Sequence, residues 1–120
     1  MTSFLKGHQA EDQALHFFLD RGYVCLAKRF KTRWGEIDLI VSTPQHLHFV
    51  EVKRRSCVSK GLFSLRPTQQ ERIYKAALSF LSSCPPPGTP WSLIQFDLVI
   101  VTEKGELTYW PHIFTAEGDL

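Results

Sequence analysis

Cysteine is scarce in this 120-residue chain: Cys25, Cys57 and Cys84 are odd in number, far apart and without a C-x-x-C spacing. That pattern excludes a disulfide framework and a thiolate zinc site, and leaves Cys25 as a packing thiol. No apolar run nears the roughly 20 residues that cross a bilayer, and the opening MTSFLKGHQAED lacks the basic-then-apolar order of a secretory signal. A cytoplasmic protein with no membrane partner is expected. The chain also lacks G-x-x-x-x-G-K-[ST], G-x-G-x-x-G and a nucleophilic serine elbow, so nucleotide-fold and serine-hydrolase chemistry have no local support. Its five histidines are dispersed. His46 and His48 share a strand face with no third imidazole or thiolate at ligand spacing, which makes them surface or packing groups.

What is present is an ordinary globular composition, 43% hydrophobic and 22% charged, in a length that supports one core. Residues 1–120 therefore read as a single domain. The net charge is only +2, but it is unevenly spread. Thirteen of the fourteen Lys and Arg lie at or before Lys75, against seven of the twelve Asp and Glu, giving +6 there and −4 beyond. Two clusters, Lys28-Arg29-Phe30-Lys31-Thr32-Arg33-Trp34 and Lys53-Arg54-Arg55, mix cations with aromatics as phosphate- and base-binding surfaces do. A solvated charged surface would carry the same runs.

Residues 10–21 place Ala10, Ala14, Phe17 and Phe18 at helical spacing, with Gly22 just beyond as a helix stop. Residues 23–30 read as a strand, 31–35 as a tight connection, 36–42 as a second strand, 43–45 as a turn and 46–54 as a third strand. Residues 56–67, with Gly61 and no sustained period, read as a loop. Thr68-Gln69-Gln70-Glu71 is a capping box opening a helix whose stripe is Ile73, Ala76, Ala77, Phe80 and Leu81. Pro85-Pro86-Pro87-Gly88 ends that helix. Residues 92–101 suit a strand covered on both faces, and 107–110 a short closing strand after the Glu103-Lys104-Gly105-Glu106 turn. The order is α-β-β-β-α-β-β, an α/β fold.

Strand residues two apart share a face, so Glu36 projects with Asp38, Glu51 with Lys53, and Ile37 with Leu39 on the opposite side. A hairpin pivoting between Pro44 and Gln45 opposes residues whose numbers sum to 89. That sets Asp38 against Glu51 and Glu36 against Lys53, with opposed Cβ atoms about 4.5–5.5 Å apart. Two like charges directly opposed are unfavourable by themselves. A Mg²⁺ ion, with Mn²⁺ as a substitute, would remove the conflict, polarise a phosphodiester and acidify a water, while Lys53 would stabilise the developing charge. Geometry alone leaves a second account open, an exposed face laced with cross-strand ion pairs. Glu11, on a first helix laid across the same sheet, is a candidate further ligand or simply a dipole-favoured helix residue. Asp97, within an apolar strand, needs partners and reads as a structural ion pair or hydrogen bond.

The run Gly35-Glu36-Ile37-Asp38-Leu39-Ile40, followed by Phe49-Val50-Glu51-Val52-Lys53-Arg54-Arg55, resembles the YraN family of small bacterial proteins in the PD-(D/E)xK restriction-endonuclease-like superfamily. The likeness extends through Gly7, Glu11, Ala14, Gly22-Tyr23, Arg33-Trp34, Ala76-Ala77, Leu81 and Phe96-Asp97, nearly the whole chain. It implies a three-layer core, a mixed sheet flanked by helices. By the same resemblance Asp38 is the metal-binding Asp, Glu51 the acidic residue of (D/E)xK, Lys53 its lysine, and Glu11 a helix-borne acidic position. The chain departs from the pattern at Ile37, where the superfamily motif has Pro, and at Gln69-Gln70, where relatives commonly have Lys-Gln.

The function implied is a Mg²⁺-dependent endonuclease hydrolysing structured or branched DNA. Asp38, Glu51, Lys53 and Glu36 would carry the reaction, and Asp38, Glu51 and Glu11 the metal. Lys28, Arg29, Lys31, Arg33, Trp34, Arg54, Arg55 and Gln70 would grip the nucleic acid. A noncatalytic nucleic-acid-binding or adaptor protein retaining the fold is the competing expectation, and a protein-interaction module the third. Related folds often pair two sites in a homodimer, although neither a long heptad nor an apolar patch argues for one here.

Overall fold

The computed structural model describes residues 3–83 and 91–115, with side chains from His8 onward. The expected break at Pro85-Pro86-Pro87-Gly88 lies outside the described residues. Helix α1 (Ser3–Asp20) buries Ala10, Ala14 and Phe18, one face at four-residue spacing. It ends as the sequence predicts. Gly22 takes φ +85°, and its N–H and that of Tyr23 close on Leu19 O and Phe18 O at 3.0 and 3.1 Å, the paired bonds of a left-handed glycine cap.

Strands β1 (Val24–Thr32), β2 (Gly35–Ser42) and β3 (His46–Arg55) form an antiparallel meander. Helices α2 (Val58–Ser64) and α3 (Pro67–Ser83) carry the chain over to β4 (Leu93–Thr102), parallel to β3, and β5 (Leu107–Phe114) closes the sheet. The order across the sheet is β1-β2-β3-β4-β5. One core packs α1 on Leu39, Val41, Val50, Val99 and Val101; the other packs α2 and α3 on Ile37, Ile40, Phe49, Leu98 and Ile100. This is the expected mixed sheet in three layers, with β3 and β4 central and buried on both faces.

Besides α1, which begins at Ser3 and not at the expected residue 10, three elements differ from expectation. The stretch read as a loop contains α2, because Gly61 is there for close approach: a Cβ at that position would lie 2.7 to 2.8 Å from three atoms of Ile100. Helix α3 starts one residue before the supposed capping box, with Pro67 in its first turn and the Arg66 carbonyl accepting the Gln70 N–H at 3.0 Å. Glu71 instead pairs with Lys75 at 3.1 Å. Strand β5 runs four residues further than predicted; as an edge strand it tolerates Pro111, and it bulges where His112 takes φ +51°.

A fourth difference bears on the site. Ile37 and Leu39 belong to opposite cores, although strand periodicity puts them on one face. Strand β2 rolls over at Asp38, and in β1 the residue between the Lys28↔Leu39 and Phe30↔Ile37 pairs, Arg29, has φ +48°.

Candidate active site

The β2–β3 ladder has the expected register, from Ser42↔Leu47 to Leu39↔Val50, and then stops. Past that point the strands fork. The Val52 N–H that faces β2 donates to the Asp38 carboxylate at 2.7 Å, so a side chain takes the place of a ladder carbonyl. Glu51, 8% exposed, receives the Gln69 amide at 2.9 Å and lies within hydrogen-bonding reach of Asp38. Burial, then hydrogen bonding to Glu51, then the Glu51 charge push the Asp38 carboxyl up to about 9, only partly opposed by the Val52 N–H and the Lys53 charge. Without a cation the pair therefore holds a proton at neutral pH.

Glu51 and Lys53 share a face with their register partners Leu98 and Ile100, toward α2 and α3. Lys53 is half-buried and favours the ionised form of Asp38. The expected opposition of Glu36 and Lys53 is not realised, because both residues lie beyond the fork, and no ion pair joins them. Glu36 is exposed at the rim of a recess of about 150 Å³ that it shares with Glu51, Gln69 and Arg72. Glu11 lies near enough for Asp38 to act on it, burial and then that charge raising its pKa, but its oxygen sits 2.7 Å from Arg29 Nε. The Arg29 N–H is poorly aligned there for a hydrogen bond. Among the described residues no three His, Cys, Asp or Glu side chains come together to hold a metal, so Glu11 does not complete a ligand triad in this arrangement.

Two carboxylates, one buried and one half-buried, still fit Mg²⁺, which is commonly held by one or two carboxylates and completes its shell with water and substrate phosphate. The expected cations are spread around this centre. Lys28 pairs with Asp12 at 3.8 Å, Lys31 is exposed, and Arg54 and Arg55 are half-buried, with Arg55 donating to the Arg54 carbonyl at 2.8 Å. The Arg33 guanidinium lies 4.4 Å from the Trp34 ring centre. The Gln70 amide donates to the Leu65 carbonyl at 3.1 Å and so holds the α2–α3 corner.

Sequence reasoning missed Gln69, Arg72 and Lys75. Gln69 precedes the expected Gln70, and which glutamine faces the sheet depends on where α3 begins. Arg72 and Lys75 are spaced three apart on the same helix face, a signal that becomes visible once Trp34 is known to lie opposite them.

Asp97 is structural, as anticipated. Its carboxylate accepts from His48 Nδ1 at 2.7 Å, Tyr109 Oη at 2.6 Å, Gln95 Nε2 at 2.8 Å and the His112 N–H at 3.1 Å. Burial would raise its pKa, but these bonds together hold it below the ordinary value.

Residues 10–101 match the Uncharacterised protein family UPF0102. A UPF0102 protein of Rhodopseudomonas palustris strain BisB5 is 36% identical over 116 residues, covering 97% of this chain and 87% of that protein. One from Nitrobacter winogradskyi is 38% identical over 85 residues, covering 71% of this chain and 72% of that protein. The chain belongs to the UPF0102 family, the YraN family that its motifs resemble.

Proposed function

We propose that this UPF0102 protein is a divalent-metal-dependent nuclease that hydrolyses phosphodiester bonds in DNA, structured or branched DNA in particular, and works in the cytoplasm. The observation that carries the reading is the pairing of half-buried Asp38 with buried Glu51, set together at a strand fork with Lys53 two residues along. A fold selected for stability alone gains nothing from setting two carboxylates together where both have lost solvent.

Asp38 and Glu51 hold Mg²⁺ or Mn²⁺, the Val52 N–H fixing one carboxylate and Gln69 the other. The ion, when bound, supplies Lewis-acid polarisation of a phosphoryl oxygen and acidifies a water. Lys53 places its ammonium against the negative charge that grows on the phosphoryl group in the transition state, an effect worth about 10²- to 10³-fold in rate. Glu36, exposed at the rim, tunes the field at Glu51 and is free to accept a proton from water. The cations from Lys28 to Arg33, with Arg54 and Arg55, neutralise substrate phosphates.

The test is cleavage of single-stranded, duplex, flapped and four-way-junction DNA with Mg²⁺, Mn²⁺ or EDTA. Cutting requires metal, disappears in Asp38→Ala, and falls at least about 100-fold in Lys53→Ala with binding nearly intact. Among the described residues no third carboxylate joins the pair, and Glu11 is engaged by Arg29, which favours a second reading, a nucleic-acid-binding protein that does not cut. Metal-independent binding, unchanged in Asp38→Asn and with no cleavage of any substrate, would decide for that one.

A further inference from the structure

Beside the carboxylates the surface opens into a cleft of about 570 Å³ between the β1–β2 hairpin tip and α3. Its walls include Arg33 and Trp34 on the hairpin and Arg72 and Lys75 on the helix. Gly35 and Arg72 line both this cleft and the smaller recess of Glu36 and Glu51, so the two spaces adjoin. Gly35 sits at φ +145°, a conformation that L side chains avoid, and so carries no side chain into the junction.

The chemistry of the walls is specific. Among the described residues neither Arg33 nor Arg72 has a carboxylate partner, whereas the acid in the cleft, Glu71, is paired with Lys75. Trp34 remains 37% exposed, with Arg33 and Lys75 at 4.4 and 4.7 Å from its ring centre. Arginines without carboxylate partners beside a half-open indole suit one phosphate and one base. The volume falls within the roughly 300–1,000 Å³ range of small-molecule sites. A base inside an intact duplex cannot enter such a recess without leaving its stack, which costs a few kcal/mol unless the base is already unpaired.

We propose that this cleft seats one unpaired nucleotide of the substrate, its base against Trp34 and its phosphate on Arg72 at the junction with the carboxylates. The preferred substrate is then nucleic acid with a single-stranded nucleotide next to the cleaved linkage. The proposal rests on the nuclease reading for the word "cleaved", but the seat itself is a binding claim and is testable without catalysis.

The experiment measures fluorescence anisotropy of a short labelled oligothymidine and of a blunt duplex of equal length, in EDTA, at low and moderate salt. The natural protein binds the single strand at least about 10-fold tighter than the blunt duplex. Trp34→Ala and Arg72→Ala each lose about 10-fold or more for the single strand, collapsing the preference to within about threefold, while Trp34→Phe and Arg72→Lys restore part of it. Urea midpoints close to that of the natural protein establish that the variants fold. Equal affinity for both ligands in the natural protein, or a preference that survives Trp34→Ala and Arg72→Ala, overturns the proposal. Selective binding with no metal-dependent cutting of any DNA would sink the nuclease reading and leave the seat standing. Cutting that needs Asp38 but proceeds at the natural rate in Trp34→Ala and Arg72→Ala would do the reverse.

Discussion

Replacing Glu51 by Gln should stabilise the metal-free protein and abolish its response to Mg²⁺. The reasoning starts from Asp38, pushed up to about 9 by burial, by hydrogen bonding to Glu51 and by the Glu51 charge. In the unfolded chain an Asp titrates near about 3.9. A carboxyl whose folded pKa is raised contributes its full stability below the unfolded value and loses it as pH rises towards the folded one. Between about pH 4 and pH 9 the protein therefore loses about 1.4 kcal/mol per pH unit from this group, at most about 4 kcal/mol by pH 7. Against a typical total of about 5–15 kcal/mol, that is a visible fraction.

Glu51→Gln removes the second and third causes while leaving an amide oxygen to accept from Gln69. The expected gain in EDTA is about 1–2 kcal/mol at pH 8, and close to zero at pH 4. Mg²⁺ should stabilise the natural protein by about 2.7 kcal/mol at 100 times its dissociation constant, and should do little for the variant. Urea denaturation at pH 4, 6 and 8, with EDTA or Mg²⁺, reads all of this. A natural protein whose stability does not decline with pH in EDTA, or a variant no more stable than it, would refute the argument that the two carboxylates are in conflict.

The Asp97 network gives a prediction of opposite sign. Its depressed pKa means that its contribution is present above about pH 4 and is lost as pH falls through the folded value, so acid unfolding tracks this group. Asp97→Ala, which strands the His48, Gln95 and Tyr109 donors, should cost about 3 kcal/mol or more by urea denaturation. A cost below about 1 kcal/mol would mean that the network is not holding β4 to β5. Gly61→Ala should destabilise by about 1–3 kcal/mol, because the new methyl meets Ile100 at 2.7 to 2.8 Å and α2 must lift from the sheet. Ile100→Ala in the same chain should recover part of that loss, and purely additive effects of the two changes would contradict a direct clash.

Much of the fold was legible because it follows from local rules. The Ala10, Ala14, Phe18 stripe and Gly22 specified α1 and its end, and the turn at residues 43–45 fixed the β2–β3 register. Where expectation failed, a partner distant in sequence was responsible. Gly61 is a helix breaker by propensity, and only Ile100, brought beneath it by the β3–β4 pairing, makes it a helix contact. Strand periodicity placed Glu36 and Lys53 opposite each other, but it holds only while the ladder lasts, and the ladder ends at Leu39↔Val50.

From the hairpin register alone Asp38 and Glu51 were expected side by side with Lys53 two residues along, and the ladder up to Leu39↔Val50 brings them to that end of the hairpin. The same reading put thirteen of the fourteen Lys and Arg at or before Lys75. Tertiary structure decided how the site is furnished. The roll of β2 at Asp38 turned a cross-strand pair into a half-buried carboxylate on the Val52 N–H, packing gave Glu11 to Arg29, and the start of α3 chose Gln69 over Gln70 for Glu51. It also set Arg72 and Lys75 across from Trp34. The physical reason is range: backbone alternation acts over a few residues, whereas desolvation and side-chain pairing depend on which surfaces the completed core presses together.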